Sequence, residues 1–380
     1  IRLSSKVRSY ITKQINSLKQ EISHFHSNSF YMITYRDLGK DLVTLNMVKD
    51  IAIDGNKVSF TVVLTTPACP LKDMIKNACI NAIKILVNKE AEVTVNFTSN
   101  TSTNRMDGKT ILAGVKNIIA VASGKGGVGK SATAVNLALA LAAEGASVGI
   151  LDADIYGPSQ PQMLGITGHP DSLDGKTMEP VRAHGIQAIS IGLLIDVETP
   201  MVWRGPMVTQ ALQQLLHDTN WKDVDYLIID LPPGTGDIQL TLAQKIPVTG
   251  AVIVTTPQDI ALLDARKGLK MFEKVGIPIL GIVENMSTHT CSQCGHTEPI
   301  FGTGGGEKMC RDYNVELLGS LPLDIKIRQH TDEGIPTVVA EPDGTIAATY
   351  RLIARRIAAK VAESAEDHSA LFAKIIMEND

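Results

Sequence analysis

The sequence predicts an α/β fold: a mostly parallel sheet covered by helices on both faces, preceded by a small α+β domain. The main observation is that near-continuous apolar runs of strand length recur after residue 112, with helical patterns between most of them. Such runs indicate parallel strands that are buried on both sides. A second observation is a polar stretch that separates these runs from an upstream segment of alternating strands. The apolar runs cover residues 117–122, 147–151, 226–229, 251–254 and 279–283.

The upstream segment, from about residue 41 to residue 97, predicts the small α+β domain. A turn at residues 54–56 joins two strand-like runs and indicates a β-hairpin. Apolar residues then recur at helical spacing over 71–87, and residues 92–97 alternate as a closing strand.

The polar stretch 98–105, which reads TSNTSTNR, is small, polar and without period, and it predicts a linker. The first 20 residues contain five Lys and Arg residues and no acid. They indicate a plain basic leader or a misassigned upstream extension, and an organelle transit peptide is the less favoured alternative. The predicted division is a leader over 1–28, the small domain over 29–97, a linker over 98–112, the main domain over 113–365 and a tail over 366–380.

Composition limits the classes of function. The net charge of −4 argues against a general nucleic-acid binder, which usually has a basic balance. A run of about 18 apolar residues is missing, so neither a membrane span nor a membrane partner is expected. Five cysteines in 380 residues do not make a disulfide framework, and they favour metal or redox chemistry in a reducing, cytoplasmic setting.

Residues 124–131 read GKGGVGKS and match the G-x-x-x-x-G-K-[ST] pattern of a nucleotide-phosphate-binding loop. A strand-like run precedes the loop, and a helical run over 132–144 follows it, as the pattern requires. Glycines let backbone N–H groups turn around phosphate oxygens, and the helix N-terminus adds its positive dipole end. The main domain is therefore predicted to be a P-loop ATPase. The predicted ATP-binding residues of the loop are Gly124, Lys125, Gly126, Gly127, Val128, Gly129, Lys130 and Ser131.

Three carboxylates stand at the ends of predicted strands. Asp152 and Asp154 follow the run 147–151, and Asp230 follows the run 226–229. Ligands bind at the carboxyl ends of parallel strands, and a P-loop enzyme holds Mg²⁺ between the loop hydroxyl, here Ser131, and such an acid. One aspartate alone would more often cap a turn. Three of them beside a phosphate loop predict a Mg²⁺ site.

The same loop also matches a dinucleotide-binding pattern. Gly124, Gly126 and Gly129 satisfy G-x-G-x-x-G, and Asp152 lies where a ribose-binding acid would stand. That interpretation does not explain Lys130 and Ser131 directly after the last glycine. It also leaves the later acid unexplained, so the ATP-binding interpretation is preferred.

Cys291 and Cys294 form a C-x-x-C pair, and a second C-x-x-C does not occur in the sequence. Zinc and iron–sulfur sites usually have about four protein ligands, so two thiolates supply half of such a site. Three completions stay open. A twofold dimer would bring two pairs together, a zinc knuckle would add His289, His296 or Cys310, and a redox disulfide would need no metal. The histidines lie so close to the cysteines that chelation would strain the loop, which favours the dimer.

The segments GKGGVGKS, DADIYGPSQPQML, DLPPGTGD, VENMS and CSQCG together resemble the Mrp/ApbC family of ATP-dependent iron–sulfur cluster carriers. This family is related to MinD, ParA and the nitrogenase iron protein among the deviant P-loop ATPases. The resemblance runs from about residue 115 to residue 340. Upstream, LGKDLVTLNMVKDIAIDG and LTTPACPLKD resemble the small iron–sulfur-assembly domain that is fused to many members.

The resemblance implies roles for residues at matching positions. Lys125 matches the signature lysine that reaches across a dimer to the partner's nucleotide. Lys130 matches the lysine that contacts the β- and γ-phosphates. Asp154 matches the carboxylate that positions the attacking water. Asn285 and the Pro322 region resemble the adenine-contacting positions.

The implied function is an ATP-dependent carrier that transfers a [4Fe–4S] cluster to apo-proteins. Cys291 and Cys294 match the pair that binds a cluster shared by two subunits, so the implied partners are a second copy, an iron–sulfur scaffold and apo-acceptor proteins. The implied cofactors are ATP, Mg²⁺ and the cluster. Asp152 and Asp230 are the acids that the resemblance places near Mg²⁺.

Two other functions share parts of this pattern. A MinD- or ParA-like positioning protein would use a surface-binding helix, and residues 345–364 have one apolar face with basic residues nearby. A helix that closes the sheet is the simpler interpretation. A nitrogenase-like reductase would also hold a bridging cluster, but it usually has a different cysteine arrangement.

Two further cysteines and a glycine-rich segment also carry expectations. Cys69 stands where related assembly domains have a functional cysteine, although a cysteine packed in a turn between two prolines explains it equally well. Cys79, on the amphipathic helix, is expected in the core. The glycines of 302–306 lack a following Lys-Ser or Lys-Thr, so a flexible loop is expected there and not a second phosphate site.

Overall fold

The computed structural model describes residues 42, 47–86, 88–101, 112–194 and 205–372. The chain divides into two compact units, residues 1–101 and residues 102–380. The predicted leader, linker residues 102–111 and tail residues 373–380 lie outside the described residues.

The described part of the first unit is a three-stranded sheet with one helix. The elements are β1 (Val48–Asp54), β2 (Lys57–Leu64), α1 (Lys72–Leu86) and β3 (Glu92–Ser99), with strand order β1-β2-β3. A turn with Gly55 at φ 55° joins β1 to β2 antiparallel. The helix returns the chain so that β3 lies parallel to β2. The predicted hairpin, helix and closing strand are all confirmed.

The closing strand is longer than predicted. Thr98 and Ser99 pair with Val63 and Leu64 of β2, so the first residues assigned to the linker belong to the sheet. Their polar side chains suggested a linker. Backbone pairing with β2 decides otherwise, because a ladder uses the main chain and tolerates polar side chains on an exposed face.

The described part of the second unit is an α/β structure, and its strands are followed in most cases by helices. Its strands are β4 (Val115–Ala122), β5 (Val148–Asp152), β6 (Val181–Ala183), β7 (Ile186–Ser190), β8 (Val224–Asp230), β9 (Gly250–Thr255), β10 (Ile279–Glu284), β11 (His289–Thr290), β12 (Thr297–Glu298) and β13 (Leu317–Ser320). Its helices are α2 (Lys130–Ala143), α3 (Gln160–Met163), α4 (Gly205–His217), α5 (Asp237–Lys245), α6 (Asp259–Lys274), α7 (Gly305–Tyr313), α8 (Ile325–Asp332), α9 (Thr337–Ala340) and α10 (Thr345–Phe372).

The large sheet has the order β13-β10-β9-β4-β8-β5-β7-β6, and only the edge pair β6–β7 is antiparallel. Its central strands are buried almost throughout, as their apolar runs predicted. The five predicted strands are all present. Because the sheet is parallel, the carboxyl ends of β4, β5, β8 and β10 share one edge, and the phosphate loop leaves from the end of β4.

Three strands of the sheet were not predicted from the sequence. β7, which reads IQAIS, is fully buried and pairs with β5, β6 pairs with β7 at one edge, and β13 forms the other edge beside β10. All three are five residues or shorter, and small or polar residues in or beside them weaken the apolar signal. The sheet into which they pair, and not local propensity, defines them.

The last helix, α10, closes the large sheet. Its apolar face is buried, with Ile346, Tyr350, Ile353 and Ile357 packed towards α2 and β13. This arrangement supports the simpler interpretation over a surface-binding helix. The helix also continues to Phe372, seven residues into the segment assigned to a tail. A search of the described residues found no helix with the length and apolar character that crossing a membrane requires.

Candidate functional site

The phosphate loop spans residues 124–131 between β4 and α2. Gly127 and Gly129 have φ angles of 80° and 79°, a conformation that residues with a Cβ rarely adopt. Gly129 also caps α2, which begins at Lys130, two residues earlier than predicted. The free N–H groups of the first helical turn therefore face the loop, where they suit a phosphate group.

Neighbouring elements hold the loop from two sides. A Cβ on Gly124 would lie 2.1 Å from the carbonyl carbon of Asp264, so the backbone of α6 packs directly on the first residue of the loop. On the other side, Asn285 Nδ2 donates to the Val128 carbonyl at 2.9 Å, and a Cβ on Gly129 would meet the same amide at 2.2 Å. The loop thus needs glycine at both ends for close packing.

Lys130 lies among carboxylates within this site and is only 6% exposed. Its Nζ forms a salt bridge with Asp230 Oδ1 and lies 3.7 Å from Asp154 Oδ2 and 3.2 Å from Ser131 Oγ. Asp230 is completely buried, so this ion pair is shielded from water. A phosphate group that entered the loop would compete with these carboxylates for the ammonium group.

The strand-end acids meet as the sequence predicted. Asp152 and Asp230 are directly paired across β5 and β8, and Asp154 follows two residues later. Burial raises the pKa of the Asp154 carboxyl, and the positive charge of Lys130 opposes that rise. A buried carboxylate with a raised pKa is suited to accept a proton or a hydrogen bond from water.

Asp152 holds the segment that follows it. One of its oxygens accepts from the Asp154 N–H at 3.1 Å, and the other accepts from the Ser159 and Gln160 N–H groups and the Ser190 hydroxyl at 3.0 Å each. Burial, and then the charge of Asp230, raise the pKa of the Asp152 carboxyl to about 7. With both oxygens engaged, Asp152 is better placed to fix the loop beside a metal than to bind the metal directly.

Gln160 is a site residue that the sequence analysis missed. It is 1% exposed, and its Nε2 donates to the Ser131 carbonyl at 3.1 Å and to Asp230 Oδ2 at 2.9 Å. Its side-chain oxygen, Oε1, is buried without a hydrogen-bond partner among the described residues. The available signal was its position inside DADIYGPSQPQML, directly after the acids. Nothing in its own chemistry set it apart.

These residues fit a magnesium ion. Mg²⁺ prefers hard oxygen ligands and keeps several waters, and Ser131, Asp154 and Asp230 bring a hydroxyl and two carboxylates together at one edge of the sheet. The unpartnered Oε1 of Gln160 is a further acceptor beside them.

The outer residues predicted for the nucleotide site lie around the loop. Lys125 is exposed, and its carbonyl accepts from the Ser123 hydroxyl at 2.9 Å. Asn285 is buried at the end of β10 with its amide on the loop backbone. Pro322 is half-buried in the segment that follows β13. Contact of the last two with adenine, and of Lys125 with a second nucleotide, stay predictions.

The cysteine pair lies in a small β-hairpin that the sequence did not predict. β11 and β12 pair antiparallel, and the Cys291 N–H donates to the His296 carbonyl at 2.8 Å across the turn. Gly295, with φ 72°, permits this turn. The backbone N–H groups of Cys294 and Gln293 lower the pKa of the Cys291 thiol. Cys294 is exposed and Cys291 half-exposed, so the hairpin presents two thiols to the outside.

A complete metal site within one chain is not found near the hairpin. Within the described residues, no three His, Cys, Asp or Glu side chains lie close enough together to share a metal ion. Cys310 is 8% exposed and packs in the core from α7, and His289 Nδ1 lies 3.1 Å from the Leu323 carbonyl. The single-chain zinc knuckle therefore loses support, which leaves the pair as half of a site or as a redox pair.

The hairpin and the phosphate loop are connected through the end of β10. Asn285 contacts the loop, and the adjacent Glu284 accepts from the Gly306 N–H at 2.6 Å. Gly306 lies in the first turn of α7, which follows the hairpin. The expectation of a flexible loop over 302–306 is wrong for its last residues. Gly304 caps helix α7, and Glu284 binds the N-terminus of that helix, where the helix dipole is positive.

The cysteines of the first unit differ from those of the hairpin. Cys79 is buried in the core of that unit, as expected, and burial raises the pKa of its thiol to about 11. Cys69 is half-buried in the turn before α1 and packs against the same core. This position agrees with both interpretations of Cys69, so neither is preferred.

Family models match both units. A model described as NUBPL iron-transfer P-loop NTPase matches residues 114–358, and one described as iron-sulfur cluster assembly protein matches residues 33–96. A P-loop NTPase match removes the dinucleotide-binding interpretation of the phosphate loop.

Named relatives cover most of the chain. The chain is 65% identical to the "iron-sulfur cluster carrier protein" of Escherichia coli K12 over 249 residues, which are 65% of this chain and 68% of that protein. It is 51% identical to the protein of that name from a Synechocystis species over 335 residues, 87% of this chain and 95% of the other. The "iron-sulfur cluster transfer protein NUBPL" of Mus musculus is 48% identical over 257 residues, 67% of this chain and 81% of that one.

A solved structure is similar as well. It is a nucleotide-binding protein from Archaeoglobus fulgidus in complex with ADP, with a TM-score of 0.53 and 37% sequence identity. The similarity covers 61% of this chain and 90% of that one. It agrees with the architecture of the second unit, in which the mostly parallel sheet and its helices surround the loop.

Proposed function

The chain belongs to the family of NUBPL iron-transfer P-loop NTPases, and we propose that it is an ATP-dependent iron–sulfur cluster carrier. In this proposal it binds a [4Fe–4S] cluster and transfers the cluster to apo-proteins. The names of its relatives support the carrier function. The observation that carries the proposal is that one strand end, Glu284 and Asn285, contacts both the phosphate loop and the helix that follows the cysteine hairpin.

The nucleotide part of the proposal is a Mg²⁺-dependent ATP hydrolysis. Ser131 and Asp230 would hold the ion, with Asp152 fixing the segment beside them. Bound Mg²⁺ would neutralise charge that develops on the phosphates. Lys130 would exchange its carboxylate partners for the β- and γ-phosphates, and Asp154 would orient the attacking water. Loss of the Lys130 contact would leave Asp230 free to serve the metal, so phosphate and metal binding support each other.

The cluster part of the proposal needs a homodimer. Cys291 and Cys294 supply two thiolates, and a [4Fe–4S] cluster takes four. A second copy related by a twofold axis supplies the other pair. Lys125, which is exposed at the loop, would then reach the nucleotide of the partner subunit. ATP binding would draw the two copies together and hydrolysis would relax them, which changes how the cargo is held.

The remaining predictions extend this proposal. The partners would be an iron–sulfur scaffold that loads the cluster and apo-acceptors that receive it, with neither nucleic acid nor membrane involved. The protein would work in the cytoplasm. Its domains would be the small assembly-like domain over 29–97 and the ATPase domain over 113–365, with the borders moved where the structure extends β3 and α10.

Anaerobic reconstitution with iron and sulfide tests the proposal. The wild-type protein should bind one 4Fe cluster per dimer and pass it to an apo-acceptor, whereas Cys291→Ala should bind none. Cys79→Ala, in the core of the first unit, is the matched control and should keep the cluster. Bound zinc only, or ATP-driven reduction of an acceptor without transfer of iron, would contradict the carrier function.

A further inference from the structure

Gln160 stands at the meeting point of the residues proposed to hold Mg²⁺. Its Nε2 donates to the Ser131 carbonyl and to Asp230 Oδ2, and its backbone N–H donates to Asp152 Oδ2 at 3.0 Å. One residue thus contacts the loop, the metal-side acid and the acid that fixes its own segment. It is almost fully buried, so these contacts are held away from solvent.

The oxygen of the Gln160 side-chain amide makes no hydrogen bond to the described residues. A side-chain carbonyl oxygen accepts up to two hydrogen bonds, and Gln160 Oε1 is buried with none among the described residues. The hydroxyl of the preceding Ser159 is also buried, and it too has no hydrogen-bond partner in the described part of the chain. Buried polar groups are nearly always satisfied in folded proteins, so two adjacent exceptions beside three carboxylates indicate a missing donor or ligand at this place.

A water molecule bound to Mg²⁺ is the donor that fits. Mg²⁺ usually keeps several of its waters in a protein site, and metal-bound water is a strong hydrogen-bond donor. Nε2 contacts the Ser131 backbone carbonyl and Asp230, so Oε1 of the same planar amide would be available to a water of a metal held by these two residues. Lys130, the positively charged group of this site, is already engaged by Asp230.

We propose that Gln160 is a positioning residue of the Mg²⁺–nucleotide site. Its Nε2 orients Asp230 and the Ser131 backbone, and its Oε1 accepts a hydrogen bond from a metal-bound water. The proposal rests on the nucleotide part of the proposed function. It makes a specific statement about this chain: metal affinity, and not nucleotide affinity, depends on the amide oxygen of residue 160.

A Mg²⁺ titration tests this statement without measuring hydrolysis. The probe is fluorescence of N-methylanthraniloyl-ADP bound to the full chain, first in EDTA and then with increasing Mg²⁺. Gln160→Met keeps the length of the side chain and removes both polar atoms. Loss of an outer-shell partner typically weakens metal binding by about 10- to 100-fold, so half-saturation should need about tenfold more Mg²⁺, with little change in EDTA.

Gln162→Met is the matched control. Gln162 lies on the same short helix, α3, but it is exposed and its Nε2 reaches the Asp332 carbonyl, away from the acids. Its Mg²⁺ dependence should equal that of the wild type. A shift of the same size in both variants would trace the effect to the helix as a whole and would overturn the proposal.

Gln160→Glu separates the two halves of the amide and covers the case in which Gln160→Met does not fold. It keeps an acceptor oxygen and replaces the donor, so its half-saturating Mg²⁺ concentration should stay at or below the wild-type value. Equal weakening in Gln160→Glu and Gln160→Met would assign the effect to Nε2 alone and refute the role of Oε1. An unchanged titration in Gln160→Met would mean that ordinary water satisfies Oε1, which also refutes it.

Failure of this inference is distinct from failure of the proposed function. If the wild type does not bind the nucleotide probe, or binds it without any response to Mg²⁺, the nucleotide part of the proposed function fails. If the wild type responds to Mg²⁺ and Gln160→Met responds identically, only the role of Gln160 is lost.

Discussion

The phosphate loop and the cysteine hairpin are built in opposite ways. The loop site is buried and densely bonded: Lys130 is 6% exposed, Asp230 is fully buried, and side chains from β5, β8, β10 and α3 converge on it. The hairpin has two-residue strands, exposed thiols and two cysteines. A site that one chain completes can be buried in that chain. The half-site proposed for the hairpin has to stay exposed, because its other ligands would reach it from another molecule.

This difference predicts how each region responds to substitution. In the loop, a change should lower both function and the free energy of unfolding, because the same buried contacts serve both. In the hairpin, a change should abolish cluster binding and leave the free energy of unfolding almost unchanged. Substitutions in the two regions test this contrast, and the expected loss of unfolding free energy falls from Lys130 in the loop to Cys291 in the hairpin.

Lys130→Ala is expected to have the largest effect. Removal of one partner of a buried ion pair leaves an uncompensated charge and typically costs about 3–5 kcal/mol. Denaturant unfolding of the nucleotide-free protein measures this loss, and ATP hydrolysis should fall below detection while cluster content is kept. The control is Lys116→Ala, whose partly exposed pair with Asp225 should contribute less than about 1 kcal/mol.

Asp230→Asn in the Lys130→Ala background sharpens this test. It removes the charge that the first substitution leaves unpaired, so the double variant should recover most of the lost stability. If the double variant is no more stable than Lys130→Ala, the buried charge is not the cause of the loss.

Gly124→Ala is expected to destabilise the loop by packing alone. The new Cβ would lie within 2.4 Å of backbone atoms of Asp264 and Ala265, so α6 has to move. Overpacking of this kind typically costs about 1–3 kcal/mol. Gly126→Ala is the matched control, because a Cβ there meets nothing within 4 Å. Equal melting temperatures for the two variants would show that the contact with α6 is not rigid.

Asp152 should make the stability of the loop depend on pH. Its carboxyl pKa is raised to about 7 in the folded chain, so the folded protein binds a proton that the unfolded chain releases near its ordinary pKa. The stability from this proton is complete below about pH 4 and is lost as the pH rises through about 7, by at most about 1.4 kcal/mol per pH unit.

Urea unfolding between pH 5 and pH 8, without nucleotide and metal, measures this dependence, because this range brackets the raised pKa of about 7. Asp152→Asn should reduce the slope, whatever its absolute stability, and Asp154, whose pKa burial also raises, should account for part of what remains. A wild-type slope in Asp152→Asn would assign the pH dependence to another group.

Cys291→Ser should have the smallest effect on stability and a complete effect on cluster binding. Cys291 is half-exposed at the surface, and substitution at such a position typically changes the free energy of unfolding by less than about 0.5 kcal/mol. Cys310→Ser is the contrast, because it puts a hydroxyl into the core around α7 and should cost about 1–3 kcal/mol. Cluster binding that survives Cys291→Ser, or is lost only with Cys310→Ser, would reverse the roles of the two regions.

Parts of the site could be predicted from the sequence because their signals are local. The glycines of 124–131 and the acids at residues 152 and 230 stand at fixed distances from apolar strands, so the motif and the strand ends located them. Gln160 could not be found in this way. Its contacts with Ser131 and Asp230 are 29 and 70 residues away along the chain, and a glutamine in a short helix carries no periodic signal.

The sequence by itself determined the strand–loop–helix unit, the acids at the strand ends and the spacing of the cysteine pair, because covalent distance along the chain fixes each of them. Only the tertiary structure decided which side chains meet. It packs Asn285 on the loop across 157 residues, ties Glu284 to the helix after the hairpin, buries Cys310 and leaves Cys291 and Cys294 in the open. These outcomes depend on which strands become neighbours in the sheet, and that order is set by the burial of the whole core.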